Sequence, residues 1–394
     1  MDISGNKPPW DLTLFLASPV VDDALLETLS KIEFGTKWKE INHDEINLIK
    51  KRIEPLEANH SWETLKKKTN PYELVYTQES QESPASICIL KPLSRSYFKM
   101  IEMLHVLKFF ERLPKASQKV NSAHVAEGPG GFIEAFLDKA SDNRLLVGRS
   151  LAMTLKPTNN HIPGWRRTFS YLQKHPEIKI HYGEDGTGNI YTPENQKSFV
   201  GLCDPQRVHL FTGDGGFDFS VDYEQQERSV YPLLIASAII GIQVLLIDGV
   251  FVLKLFDIFS VPTQHFLRLV TLCFKEWTLY KPSTSRPCNS ERYLLCRGFR
   301  RGPSITSLLE MLVSLQKKFN EGEYPQTEFF SFFTEKEKEF LESHMNIYST
   351  LQSKTLVETI DLQNMAPKDF SWKPHHELAV KWCRVFRVPT SMKG

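Results

Sequence analysis

The segment Glu127-Gly-Pro-Gly-Gly-Phe132 constrains this chain more than any other part of its sequence. It follows the apolar run 124–126 and leads into a helix-like stretch, so it predicts a strand, a glycine turn and a helix start. Such a turn brings bare backbone close to a ligand and directs helix N–H groups at it. The turn lacks the Gly-Lys-Ser/Thr of a phosphate loop, and Ile133 stands where the dinucleotide fingerprint has a third Gly. It therefore suggests a nucleoside-type cofactor, with an ordinary strand-to-helix turn as the alternative.

Composition narrows the class of protein. The 394 residues are 41% hydrophobic and 24% charged, which fits a packed globular protein of two or three units. Because the formal net charge is only +1, a nucleic acid would have to bind to local runs of basic residues. For each run the alternative is an ordinary solvent-exposed surface without a binding role. These runs are 50–52, 66–68, 166–167 and 300–301.

The sequence also bears on the compartment. Six cysteines without a Cys-x-x-Cys pair predict free thiols in a reducing, intracellular setting. We find no signal peptide and no run of 18 apolar residues, so we expect a soluble protein without a membrane span. No cluster with the spacing of metal ligands is apparent, and Gln196 stands where a calcium loop in 185–196 would need Glu.

Strand-like apolar runs alternate with helical segments between about residues 90 and 300. This alternation predicts an α/β fold with a mostly parallel sheet and helices on both faces. No long helix separates the last two strands, so we expect them to pair antiparallel. The predicted strands are 145–147, 178–180, 208–211, 250–253, 278–280 and 293–296, and the predicted helices are 97–111, 131–140, 224–245 and 262–275.

Two mainly helical regions flank this core, which divides the chain into 1–85, 86–300 and 301–394. In the C-terminal region, Leu308, Leu312 and Leu315 share one helix face, and Gly322 can end that helix. A last helix is predicted to place four residues on one side: Ala379, Trp382, Cys383 and Phe386.

Four residues outside the turn stand in strong local contexts: Lys99, Asp214, Lys254 and Glu291. Their segments are Ser96-Tyr-Phe-Lys99, Phe211-Thr-Gly-Asp214-Gly-Gly-Phe217, Val250-Phe-Val-Leu-Lys254 and Lys281-Pro-Ser-Thr-Ser-Arg286-Pro-Cys-Asn289-Ser-Glu291-Arg-Tyr293. With the glycine turn and the segment Gly183-Glu-Asp185-Gly-Thr-Gly-Asn189-Ile190, residues 97–299 resemble the FtsJ-like (RrmJ-type) RNA ribose 2′-O-methyltransferases. Within that family the chain looks most like the eukaryotic and large-DNA-virus mRNA cap ribose methyltransferases.

The resemblance implies a Rossmann-like sheet, S-adenosyl-L-methionine as cofactor and a capped RNA as substrate. It implies that Lys254 is the general base or orients the ribose oxygen, that Asp214 lies beside the cofactor methyl and orients Lys254, and that Lys99 and Glu291 complete the tetrad. It places Asp185 on the adenine, for which a connecting turn is the alternative, and leaves Ser150 or backbone for the cofactor ribose. The implied cofactor-binding residues are Glu127, Gly128, Pro129, Gly130, Gly131, Phe132, Ser150, Asp185 and Asp214.

The chemistry of this transfer explains the residue types. Methyl transfer from a sulfonium to a ribose hydroxyl is an in-line displacement that requires no metal, only alignment and control of a proton. A lysine helps as a base only when its pKa is lowered, which a second ammonium nearby can do. We therefore expect the two lysines and two carboxylates to meet in one site. Asp214 and Lys254 both close predicted parallel strands, whose carboxyl ends bind ligands.

Three functions are compared. The first is a cap-specific 2′-O-methyltransferase, the second an FtsJ-type rRNA or tRNA enzyme, and the third a catalytically idle capping scaffold. The complete tetrad argues against the scaffold, and the segments 215–218 and 286–291 and the long flanks favour the cap enzyme. The sequence does not decide whether the first or the second nucleotide is methylated (cap-1 or cap-2). It also leaves open whether the protein is cellular or viral, and hence whether it acts in the nucleus, the cytoplasm or a viral factory. Partners in the capping or transcription machinery and the oligomeric state are open as well.

Overall fold

The computed structural model of the chain describes residues 8–40, 44–53, 56, 61–78, 80, 83–115, 117–157, 164–165, 168–216, 226–327, 332–365 and 369–391. Its helices are α1 Pro9–Leu12, α2 Asp23–Ser30, α3 Asp44–Lys51, α4 Trp62–Lys68, α5 Ser96–Val106, α6 Gly131–Asp142, α7 Phe169–Lys174, α8 Pro193–Cys203, α9 Gln226–Val244, α10 Val261–Leu272, α11 Pro303–Asn320, α12 Glu335–Asp361 and α13 Lys373–Val385. Its strands are β1 Leu16–Ala17, β2 Phe34–Gly35, β3 Lys119–Val125, β4 Leu146–Met153, β5 Ile178–His181, β6 Val208–Gly213, β7 Leu245–Leu255, β8 Phe274–Tyr280, β9 Arg292–Phe299 and β10 Tyr324–Pro325.

A single large sheet forms the centre of the molecule. Among the described residues its strand order is β1-β8-β9-β7-β6-β3-β4-β5. The strands β5, β4, β3, β6 and β7 are parallel, and the crossovers between them run through helices. The predicted α/β fold with a mostly parallel sheet is therefore confirmed.

The antiparallel edge is also confirmed. Strand β9 lies between β7 and β8 and is antiparallel to both, with Tyr293 paired to Lys254 on one side and to Tyr280 on the other. The sequence did not predict β1, whose residues Leu16 and Ala17 add an outer strand by pairing with Trp277 and Glu276. Two residues carry no detectable period, so this strand depends on contacts distant in sequence.

Helices cover both faces of the sheet, as predicted. Neighbouring residues of a strand point to opposite faces, and the central strands use both faces for packing. Phe211 and Phe251 belong to a core with α9, α10 and α11. Leu210 and Val252 belong to a second core with α5, α6 and α13.

The helical pattern of the C-terminal region is confirmed in detail. Leu308, Leu312 and Leu315 of α11 are buried, and Gly322 follows the end of this helix with a left-handed φ of +77°. Ala379, Trp382 and Cys383 of α13 and the following Phe386 are buried on one side. Leu29 and Leu308 share a core with the sheet, so packing runs across the predicted boundaries at 85 and 300, and the three-part division stays a prediction.

Candidate active site

The ends of β6 and β7 bring two of the four predicted catalytic residues together. Asp214 directly follows β6, and Lys254 is the last residue but one of β7. The parallel register pairs Gly213 with Leu253, so Asp214 and Lys254 lie side by side. The carboxyl ends of parallel strands form the usual ligand-binding edge of such a sheet.

Two lysines and two carboxylates meet at this edge. Lys99 Nζ, from α5, lies 2.6 Å from Glu291 Oε1. Lys254 Nζ lies 3.2 Å from Asp214 Oδ1 and 3.9 Å from Glu291 Oε2, and it donates to the backbone oxygen of Asp214 at 2.9 Å. The predicted convergence of four residues that span 192 positions of the chain is present in the structure.

The electrostatics of the site bear on the role of Lys254. Burial acts to lower the pKa of Lys254, but the carboxylates of Asp214 and Glu291 outweigh burial and raise this pKa. Burial likewise acts to raise the pKa of Glu291, but Lys99 and Lys254 hold it far below its usual range. The sequence left two roles open for Lys254, a base with a lowered pKa or a fixed ammonium that orients the ribose oxygen, and a raised pKa favours the second. An ammonium that orients oxygen fits the described site better than a neutral amine.

Two hydroxyl groups that sequence reasoning missed hold the carboxylates. Tyr293 donates to Asp214 Oδ1 at 2.8 Å, and Ser285 donates to Glu291 Oε1 at 2.7 Å. Tyr293 lies opposite Lys254 in the β7–β9 register. Both residues stand in the Lys281-to-Tyr293 segment, so their sequence neighbourhood was the available signal.

Lys281 is a further buried cation of that segment. Its Nζ donates to the backbone oxygen of Asn289 at 2.7 Å, to Asn289 Oδ1 at 2.8 Å and to the backbone oxygen of Glu291 at 2.8 Å. Burial lowers the pKa of Lys281 to about 7. Lys281 therefore ties the two ends of the loop that presents Glu291.

The glycine turn packs closely against the rest of the protein. Gly130 caps α6 with φ +106°, and a Cβ there would lie 2.9 Å from the ring of Trp165. A Cβ on Gly131 would lie 2.2 Å from Ser94 Oγ. Trp165, which the sequence analysis did not single out, is buried against this turn. Close packing within the protein therefore explains these glycines, and their contact with a cofactor stays a prediction.

The residues at either end of the turn have different surroundings. Glu127 is buried, accepts a hydrogen bond from Thr212, and has a pKa raised by burial. Its Oε2 lies 3.2 Å from His124 Nδ1 but receives no hydrogen bond of good geometry from the described residues. Phe132 is 1% exposed and packs on Tyr293 with ring centroids 5.9 Å apart, so its side chain belongs to the core.

Asp185 lies in the exposed turn after β5. Its Oδ1 accepts hydrogen bonds from Thr187 N, Thr187 Oγ1 and Asn195 Nδ2, at 2.9, 2.7 and 2.9 Å. The hydrogen bonds from Thr187 are the main cause that lowers the pKa of Asp185. Asp185 therefore organises the turn itself, and its role toward a cofactor stays a prediction.

The surroundings of Ser150 do not support its assignment to a cofactor, which stays a prediction. The strand β4 runs on to Met153, so Ser150 lies inside the sheet and not at its carboxyl end. The side chain is fully buried and shares a hydrogen bond with Ser122 Oγ at 2.8 Å. The sequence-based strand ended too early because polar residues interrupt its apolar run.

A cavity of about 150 Å³ adjoins the loop that carries Glu291. Lys50, Lys66 and Arg286 line it, together with Asn289, the partner of Lys281. The three cations that line it each lie against a carboxylate, which belongs to Asp257, Glu63 and Glu73 respectively. The runs 50–52 and 66–68 thus place cations on this cavity. Arg300 and Arg301 donate hydrogen bonds to backbone carbonyls. The run 166–167 lies outside the described residues, as do Phe217 and Asp218.

Three further properties concern the described part of the chain. All six cysteines are buried free thiols, as predicted. No group of three or more His, Cys, Asp or Glu side chains among the described residues is arranged to hold a metal ion. None of the described helices combines the length and apolarity that a membrane crossing requires.

Comparisons with known proteins identify the family of this chain. The model of the family described as FtsJ-like methyltransferase matches residues 92–299, more than half of the 394-residue chain. The chain is 31% identical over 246 residues to the cap-specific mRNA (nucleoside-2′-O-)-methyltransferase 1 of Xenopus laevis, covering 58% of this chain and 28% of that protein. It is 33% identical over 222 residues to the cap-specific mRNA (nucleoside-2′-O-)-methyltransferase 2 of Danio rerio, covering 53% and 29%. The chain therefore spans less than a third of the length of these two relatives.

A solved structure adds a distant likeness. Human methyltransferase-like protein 13 in complex with SAH aligns with 57% of this chain and 93% of that chain, at 13% sequence identity and a TM-score of 0.32. The strand order and register of the sheet itself define the fold of this chain.

Proposed function

Because the chain belongs to the FtsJ-like methyltransferase family, we propose that it methylates the ribose 2′-oxygen of a cap-proximal mRNA nucleotide with the tetrad Lys99, Asp214, Lys254 and Glu291. The observation that carries this proposal is the convergence of Lys99 and Lys254 on the Glu291 carboxylate, at 2.6 and 3.9 Å. Charged groups fixed in this way can orient a hydroxyl group and receive its proton.

S-adenosylmethionine is the methyl donor of this family and supplies an electrophilic methyl group on a sulfonium sulfur. The residues of the glycine turn fit such a cofactor. The first turn of α6 offers N–H groups without helical partners, and Glu127 offers a buried carboxylate oxygen, Oε2, that suits an ammonium group. We assign the backbone of Gly128, Pro129, Gly130, Gly131 and Phe132 to the same ligand and Asp185 to its adenine.

The tetrad residues have distinct roles in the proposal. Lys254 donates a hydrogen bond to the ribose oxygen and holds it in line for attack. Asp214 fixes Lys254 through both its side chain and its backbone oxygen. Glu291 and Asp214 offer carboxylate oxygens to the hydroxyl proton, which becomes strongly acidic as the oxygen forms its new bond. Lys99 holds Glu291 in place.

Two features support a capped RNA as the substrate. The relatives in Xenopus laevis and Danio rerio carry cap-specific mRNA methyltransferase names, and the cavity lined by Lys50, Lys66 and Arg286 adjoins the Glu291 loop. Lys66, whose partner Glu63 is exposed, can exchange that carboxylate for a phosphate that flanks the target ribose.

The substrate is tested by methyl transfer to short RNAs of one sequence with a methylated cap, an unmethylated cap or no cap. We expect the RNA with the methylated cap to react fastest, because aromatic faces attract a cationic methylated guanine by about 0.5–2 kcal/mol each. Mapping the modified nucleotide decides between the cap-1 and cap-2 types. Equal rates on capped and uncapped RNA would contradict the proposal and favour an rRNA or tRNA substrate.

The cavity gives a second expectation. Lys66→Ala should raise KM for capped RNA with little change in kcat. It should also reduce the slope of log affinity against log salt concentration by about 1, the value for one lost phosphate contact. Lys338→Ala is the matched control, because Lys338 pairs with Glu335 at i,i+3 as Lys66 pairs with Glu63 but does not line the cavity. The measurement is RNA binding at several salt concentrations. An unchanged salt slope for Lys66→Ala would remove this cavity from the RNA path.

A further inference from the structure

Glu102 is a buried carboxylate that the tetrad does not use. It is fully buried and accepts four hydrogen bonds, all from neutral donors. Tyr280 Oη and Ser283 N donate to Oε1, the latter at 2.7 Å. Ser283 Oγ and Trp382 Nε1 donate to Oε2, the latter at 2.8 Å. Each donor would lose a buried partner if this carboxylate moved.

Glu102 and Lys99 lie three residues apart on α5, so their side chains share one side of that helix. Lys99 contacts Glu291 at the far end of the 281–291 loop, and Glu102 binds Ser283 near its start. Helix α5 thus holds the catalytic loop at both ends. The position of Glu291 also depends on the contact between Glu102 and Ser283, because Lys281 ties the two ends of the loop together.

Trp382 connects this arrangement to the C-terminal helix α13. Its indole lies in the core with Phe98 of α5, with ring centroids 5.8 Å apart, and its N–H is one of only two donors to Glu102 Oε2 among the described residues. Removing that donor leaves a buried carboxylate oxygen with one hydrogen bond fewer. A buried carboxylate in this state either changes its position or takes up a proton. Either response disturbs the bonds to Ser283.

We propose that Glu102 is a positioning residue for methyl transfer and that Trp382 of the C-terminal helix acts on the tetrad through it. The chain of contacts runs from Trp382 to Glu102, from Glu102 to Ser283, and through the loop to Glu291. This inference rests on the proposed function, because it assigns the effect to Glu291 in its catalytic role. It gives the C-terminal helix a part in the reaction without contact to substrate.

The first experiment compares Trp382→Phe with Trp277→Phe. Both tryptophans are fully buried, and Trp277 Nε1 also donates to a buried carboxylate, Glu337 Oε1, at 3.3 Å. Both variants should lose similar thermal stability. Only Trp382→Phe should lower the single-turnover rate constant at saturating RNA, by about tenfold, with the affinity for S-adenosylhomocysteine unchanged. Ser283→Ala, which removes another donor to Glu102, should repeat this result if Trp382→Phe folds poorly.

A double-mutant cycle separates positioning from general destabilisation. In a Glu291→Ala background, Trp382→Phe should cause no further loss of rate, since the group that it positions is gone. A tenfold loss in both backgrounds, or wild-type rates for both Trp382→Phe and Ser283→Ala, would overturn the inference.

Hydrogen exchange gives a readout that needs no substrate. The Ser283 amide should exchange faster in Trp382→Phe than in Trp277→Phe, and equal exchange would also overturn the inference. If instead Glu291→Ala alone kept the wild-type rate while exchange changed as expected, the tetrad assignment would fail and the contact chain would stand.

Discussion

Lys254→Ala is expected to abolish methyl transfer while leaving cofactor affinity nearly unchanged. The Lys254 ammonium is held by Asp214 and Glu291 and is the tetrad group assigned to the ribose oxygen. A positioned proton-transfer or orienting group typically contributes about 10²–10⁴-fold to the rate, and loss of alignment adds to this. The measurement is single-turnover methylation of capped RNA, with cofactor binding followed by calorimetry.

Two further variants sharpen this prediction. Lys254→Arg should also fail, because a planar guanidinium has a different shape and cannot occupy the position of a compact ammonium. Lys275→Ala is the matched control, since Lys275 forms an exposed ion pair with Asp248 and should keep the wild-type rate. A rate for Lys254→Ala above about a tenth of the wild-type value would contradict the expected loss and remove Lys254 from the catalytic role.

The sequence was sufficient for the strands at the centre of the sheet. Strands that are buried on both faces are near-continuous apolar runs, as the residues 250–253 illustrate and as 208–211 do apart from His209. The strand Leu146–Met153 was predicted too short, because Gly148, Arg149 and Ser150 interrupt its apolar pattern. Arg149 donates to backbone carbonyls in the segment 202–206. A polar residue whose partners are distant along the chain looks like a loop residue until the fold is known.

The candidate site, too, could be predicted only in part from the sequence. Lys99, Asp214, Lys254 and Glu291 could be found from their sequence contexts, and the strand ends that bring Asp214 and Lys254 together follow from the alternation of strands and helices. The distances of Lys254 from Asp214 and Glu291 could not be found from the sequence, and the proximity of these carboxylates raises the pKa of Lys254. Hydroxyl groups such as Tyr293 and Ser285 carry no distinctive pattern. Their role depends on the register of β9 and the path of the 281–291 loop, which only the structure supplies.

Glu291→Gln is expected to cost both activity and stability. At neutral pH the carboxylate of Glu291 compensates the buried charges of Lys99 and Lys254. Removing one partner of a buried ion pair costs about 3–5 kcal/mol in the free energy of unfolding. The rate should fall by about 10²–10³-fold, because Lys99 loses its anchor and Lys254 loses one of its two carboxylates.

Glu337→Gln is the matched control, since Glu337 forms a buried pair with Arg268 at 3.0 Å away from the tetrad. It should lose comparable stability and keep a rate within about twofold of wild type, as expected for a pair that makes no contact with the reacting groups. A wild-type rate for Glu291→Gln, or a stability loss below about 1 kcal/mol, would contradict the assignment of Glu291 as the centre of the site.

The stability loss of Glu291→Gln should depend on pH with a defined sign. The folded-state pKa of Glu291 is lowered, so its stabilising contribution is present above the unfolded value of about 4.3 and is lost as pH falls through the folded pKa. The folded-state pKa of Lys254 is raised, so its contribution is complete below about 10.4 and is lost as pH rises through the folded pKa. In Glu291→Gln the lysines lose this support and can shed protons as pH rises toward about 10. Denaturant unfolding at about pH 2.5, 7 and 10 should therefore give the largest difference from wild type near neutrality, and a difference that is constant across these values would show that the ion pairs do not cause it.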